Sequence, residues 1–125
     1  MTGLACKAFF GLVLYDLLRL HRRSFAALHL KIQNWPVARR PVVPGTDERV
    51  RKAIERACVW YPKTSLCLPR SAVATCLLRD AGIPAQLVIG VQKIPFKAHA
   101  WVEVAGRVVN DKPEVQKEYM VMDRL

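Results

Sequence analysis

The sequence predicts an α+β protein in which helices come first and an antiparallel sheet follows. Apolar residues recur at helical spacing through the first eighty positions. From Ala85 onward the period changes to two, and turn signals separate short β-branched runs. With 125 residues, 52% of them hydrophobic, the chain has the size of one domain and enough apolar material for a core. The expected organisation is a single domain over 1–125: a helical extension and linker over 1–45, then the core over 46–125.

The first thirty residues read as helix, because Leu4, Ala8, Leu12, Tyr15 and Leu18 keep roughly helical spacing and no proline precedes Pro36. Residues 35–45, WPVARRPVVPG, hold three prolines and a glycine and form a connector. A second helix starts at Thr46, whose hydroxyl is expected to cap the amides that follow, with Asp47 and Glu48 at the positive end of the dipole. Val50, Ala53, Ile54 and Ala57 give it one buried face. A third helix is set by Pro69, which fits only a first turn, so Cys67 falls at the helix tip. That helix stops at Gly82, with Pro84 beyond it. Gln86 to Val91 reads as an interior strand, His99 to Val104 as an alternating one, and Arg107 to Asp111 as its hairpin partner across Ala105-Gly106. Tyr119 to Met122 reads as a last strand.

The net charge is +10, and ten of the 20 basic residues fall between Arg19 and Arg56. Such asymmetry suits an acidic partner. A nucleic acid is not expected, since the basic residues are not interleaved with aromatics and no binding signature is present. Cys6, Cys58, Cys67 and Cys76 form no CxxC pair and no zinc-site spacing, so neither metal nor other cofactor is expected. The apolar start, Leu4 to Leu20, is broken by Lys7 and Asp16 and falls short of the roughly 20 residues a membrane span needs. It has no cleavage site of a secretory signal. The cysteines are therefore expected to be reduced thiols in a cytoplasm.

A thiol at a helix N-terminus differs chemically from one in a helix interior. Unpaired amides and the helix dipole stabilise the thiolate, and the Cys67 backbone N–H is a candidate oxyanion donor. A nucleophilic thiol works with an imidazole base that a third group orients. His21 and His29 lie in the basic N-terminal region, whereas His99 sits inside the apolar run KAHAWVEV, where an ionisable ring needs a partner. Asp111, on the hairpin partner, completes a Cys67, His99, Asp111 set. Cys58 and Cys76 read as packing residues, Trp101 as a core aromatic beside His99, and Arg70 as structural or substrate-facing.

The run CLPRSAVATCLLRDAGIPAQLVIGVQKIPFKAHAWVEVAGRVVND, residues 67–111, resembles the transglutaminase-like leader peptidases of lasso-peptide biosynthesis. The matching pieces are C-L-x-R-S, L-L-R-x-A-G-I-P-A, L-V-I-G-V, F-x-A-H-A-W-V-E-V and N-D. A-H-A-W-V-E alone is widespread in transglutaminase-like proteins, while the ordered series is far more specific. The resemblance implies a papain-related core in which Cys67 attacks a peptide carbonyl, His99 acts as base and then acid, and Asp111 holds its ring. It implies a precursor peptide as substrate, cut between leader and core, and a macrocyclase acting next. Residues 1–45 lack the alternating strands of a fused leader-recognition domain. The split form is therefore expected, with a separate leader-binding protein as partner and Arg19 to Arg56 as a surface for it or for an acidic leader.

Two other readings share these residues. A transglutaminase or amidase would use the same triad with an amine in place of water, and a non-catalytic scaffold would not use the triad at all. The hairpin also leaves a choice. A strict two-residue turn pairs Trp101 with Asn110 and puts Asn110 on the His99 face. A bulge or a three-residue loop pairs Trp101 with Asp111 instead. The resemblance favours Asp111, so an irregular hairpin is expected, with an Asp111 carboxylate oxygen near a His99 ring nitrogen.

Overall fold

The computed structural model describes residues 3–22, 25–60 and 67–125, apart from the side chains of residues 16, 18–22, 25–27, 60 and 67. Four helices precede the sheet: α1 (Gly3–Arg22), α2 (Phe25–Gln33), α3 (Thr46–Trp60) and α4 (Cys67–Asp80). Strands β1 (Ala85–Gln92), β2 (Lys97–Val104) and β3 (Arg107–Val108) follow, then a short α5 (Val115–Glu118) and β4 (Met120–Arg124). The sheet is antiparallel in the order β3-β2-β1-β4. The architecture is the α+β arrangement that the sequence predicts.

Packing explains the division of labour between the two sheet faces. On one face Ala85 and Val102 join Ala8, Leu12, Val50, Ile54, Ala74 and Leu78 in the main core. The N-terminal helix is thus part of that core: Ala5 and Ala8 are fully buried and Leu12 nearly so. The described part of the first thirty residues is helical as expected, and α2 brings Leu28 and Ile32 into a second cluster with Tyr15, Ala72, Leu87 and Ala100. On the opposite face Val88 and Trp101 pack with Val115, Val108, Tyr119 and Val121. The segment 115–119 therefore serves as the cover of that face.

Arg79 ties the layers together. It is 5% exposed, and its guanidinium donates to the carbonyls of Ile32, Trp35, Ala85 and Leu125, at 2.7 Å for Leu125 and 2.8 Å for Ala85. Its own carbonyl accepts from the Ala38 amide. Burial pushes its pKa below the ordinary arginine value, yet a guanidinium starts so high that it keeps its charge.

Three local expectations are corrected. The Thr46 hydroxyl does not cap the following amides; it donates back to the Val43 carbonyl at 2.6 Å and accepts from Arg49. The predicted strand Arg107 to Asp111 has only two paired residues. Its hairpin is regular rather than irregular: Val104 faces Arg107 and Glu103 faces Val108 across a strict two-residue turn. Ala105 (φ 52°) and Gly106 (φ 77°) both take positive φ, which matches the twist of the flanking strands. The irregularity comes two residues later. Val109 still donates to the Val102 carbonyl, but the Val102 amide donates to the Asn110 side-chain oxygen at 2.8 Å, in the place of a backbone carbonyl. The ladder stops there, and the backbone is free to leave the sheet at Asp111.

Candidate active site

His99 stands on β2 with Trp101 and Glu103 on the same face, since side chains alternate along a strand. Gly90 of β1 is its cross-strand partner. A Cβ at Gly90 would lie 2.7 Å from the Trp101 ring and 2.9 Å from Tyr119 Cβ, so only glycine leaves room for both. The His99 ring has an aromatic neighbour on two sides, Tyr119 at 5.3 Å and Trp101 at 6.1 Å between centroids. Its side chain keeps 24% of its surface exposed.

The departing backbone brings Asp111 to His99, with Oδ2 2.6 Å from Nε2. The other carboxylate oxygen accepts the Lys112 amide at 2.7 Å, which fixes the carboxylate plane. Lys112 itself is turned to Glu118, which holds its pKa above the ordinary lysine value. With the carboxylate ionised, Nε2 carries the proton and donates it to Asp111, and Nδ1 keeps its lone pair. Nδ1 is therefore the nitrogen left to act as a base.

Asn110, the rival for Asp111's role, points elsewhere. Besides accepting from Val102, it donates to the Ser71 hydroxyl at 3.0 Å, and Ser71 donates to the Ala100 carbonyl at 3.1 Å. This chain of bonds pins the first turns of α4 to β2 beside His99. Ser71 is 1% exposed, and nothing in the sequence marked it for that function. Cys67 opens α4, so its backbone stands at the helix N-terminus one turn before Ser71; its side chain lies outside the described residues. A cavity of about 220 Å³ opens at this junction, lined by Arg70, Ser71, Asn110, Asp111 and His99 and by Asp47 and Arg51 of α3.

The other cysteines are free thiols among the described residues. Burial pushes the Cys76 thiol up to about 12, which leaves it protonated and inert at neutral pH. Iodoacetamide at pH 7 is expected to label Cys67 well before Cys58 or Cys76, because the helix tip favours its thiolate. Peptide mapping after short exposure reads the order, and equal labelling of the folded protein would refute it. Among the described residues no group of His, Cys, Asp and Glu could hold a metal ion, and no helix is long and apolar enough to cross a membrane.

A strand histidine bonded to an aspartate, on a sheet packed against the helix that begins at Cys67, fits a transglutaminase-like domain. Residues 11–124 match the family model of the transglutaminase-like superfamily, and the chain belongs to that family. It is also 43% identical, over 79 residues, to the microcin J25-processing protein McjB of Escherichia coli. That stretch is 61% of this chain and 38% of the relative, so the match spans well under half of the relative's length. No solved structure matches.

Proposed function

We propose that this protein is a cysteine peptidase that removes the leader from a lasso-peptide precursor. The contact between His99 Nε2 and Asp111, beside the helix that Cys67 opens, is the observation that best supports this reading. Similarity to a microcin-processing protein supports the choice of substrate class.

In this reading Nδ1 of His99 takes the Cys67 thiol proton, and the resulting thiolate adds to the carbonyl carbon of the bond between leader and core. The carbonyl electron pair moves to oxygen, where the Cys67 backbone N–H stabilises it. Collapse expels the core amine, which takes its proton from the His99 imidazolium, and leaves an acyl-enzyme thioester. Water then attacks the thioester while Nδ1 of His99 accepts its proton, which releases the leader carboxylate and restores the thiol. Asp111 touches no reacting atom; it holds the ring and stabilises its charged form. The freed core would pass to a macrocyclase.

Leader recognition is assigned to a separate binding protein, with the basic stretch between Arg19 and Arg56 as its docking surface or the leader's. Within that stretch Arg51 is committed to Glu48 and Glu55, while Arg39, Arg40, Lys52 and Arg56 are exposed. The test is reconstitution with the precursor, read by mass spectrometry. Leader plus core is the expected product, slow without the leader-binding protein and faster with it as local substrate concentration rises. High salt should weaken the stimulation. A cross-linked product would move the assignment to acyl transfer, and full activity without a second protein would overturn the split arrangement.

A further inference from the structure

Glu103 is an expensive residue for its position. It is 2% exposed, in a place where an isolated carboxylate loses most of its hydration. One oxygen lies 3.6 Å from Nε of Arg124, whose side chain is about half exposed, so that ion pair is loose. The close contact is with Trp101, whose indole N–H donates to the other oxygen at 2.8 Å.

Trp101 is wholly buried and passes that constraint on. Its six-membered ring lies over Gly90, the residue opposite His99, and leaves no room for a Cβ. Its centroid is 6.1 Å from both the His99 and the Tyr119 rings, and Tyr119 closes the triangle at 5.3 Å from His99. An indole pivoting about its Cβ would sweep into that triangle. The bond to Glu103, at the far end of the ring system, is what stops the pivot. A carboxylate oxygen accepts, so the indole N–H is the donor of this bond.

We propose that Glu103 is a positioning residue: by anchoring the Trp101 indole, it fixes the Trp101–Tyr119 wall against which the His99 ring is held in line with Asp111. This deepens the peptidase reading and rests on His99 being its base. Misplacement of a base by about 1 Å costs turnover by up to roughly a hundredfold, without a comparable change in substrate binding.

The experiment compares Glu103→Gln, Glu103→Leu and Trp101→Phe in the full chain, with two readouts. The first is the set of ring ¹⁵N and ¹H NMR signals of His99, assigned by their loss in His99→Ala; it needs no activity. The second is precursor cleavage. Glu103→Leu should shift or broaden the His99 signals and lower kcat about ten- to a hundredfold with KM nearly unchanged. Glu103→Gln, whose amide oxygen still accepts the indole proton, should restore both. Trp101→Phe removes the indole N–H together with the outer ring atoms over Gly90, so it should reproduce Glu103→Leu and stands in if that variant does not fold. Unchanged His99 signals in a folded Glu103→Leu or Trp101→Phe would overturn the proposal, as would a Gln variant as impaired as the Leu. If His99→Ala itself leaves cleavage intact, the peptidase reading fails while the NMR comparison still tests the positioning.

Discussion

Cys67→Ala should end precursor cleavage in a protein that still folds, and Asp111→Ala should lower turnover by about three to four orders of magnitude. The two losses have different causes. Without the thiol no acyl-enzyme forms. Without the carboxylate His99 loses the partner that holds Nε2–H at 2.6 Å, and either ring nitrogen can then face the substrate. Asn110→Ala should behave in the opposite way. Its oxygen is the acceptor for the buried Val102 amide and its nitrogen the donor to Ser71, so its loss costs about 1–3 kcal/mol of stability. Its drop in turnover should be far smaller than that of Asp111→Ala. Steady-state cleavage and urea melts on the three variants separate the roles. If turnover falls more for Asn110→Ala than for Asp111→Ala, the orienting group is Asn110. A Cys67→Ala protein that still supports processing would make the chain a scaffold.

The largest stability effect is expected at Arg79. One guanidinium serves carbonyls from α2, the connector, the start of β1 and Leu125. Hydrogen bonds from a charged group contribute about 1.5–3 kcal/mol each, and part of that sum offsets the burial of the charge. Arg79→Leu should therefore lose about 3 kcal/mol or more, a large share of the 5–15 kcal/mol typical of a domain. Arg79→Lys should rescue little, since a compact ammonium cannot reach four acceptors spread around a planar fork. Urea unfolding followed by circular dichroism measures both. A loss below about 1 kcal/mol in Arg79→Leu would show that the clasp is dispensable.

Much of this could be read along the chain, because the signals were local. Pro69 placed the start of α4, and with it Cys67, within the residues flanking it. The change of period at Ala85 located β1, and KAHAWVEV located β2. The hairpin was legible only in part. Its turn is regular because Ala105 accepts a positive φ that alanine seldom adopts. The step that sends Asp111 to His99 depends on an asparagine side chain replacing a backbone carbonyl. That exchange is stabilised by Ser71, 39 residues earlier in the chain, and no local pattern reveals it. The part Arg79 plays is hidden for the same reason: its partners are gathered from positions 32 to 125. Helix α5 spans four residues, too short for a period to show.

The pairing of β1 with β4, rather than with a sequence neighbour on that side, has a consequence for the order in which the site is built. The β1–β2 hairpin closes across four residues, so His99 can find its strand early. Tyr119 and Arg124 lie on the far side of the β1–β4 closure, which joins residues about thirty positions apart and carries the greater loop entropy. Helix α4 and strand β2 thus belong to the part of the molecule joined by short closures. Of the aromatic wall around His99, Trp101 belongs to that part as well, and Tyr119 to the part that closes later. A chain caught between the two stages has Asp111 and Trp101 beside the imidazole but lacks Tyr119. In the proposed mechanism the surroundings of His99 are therefore complete only once β4 has joined the sheet.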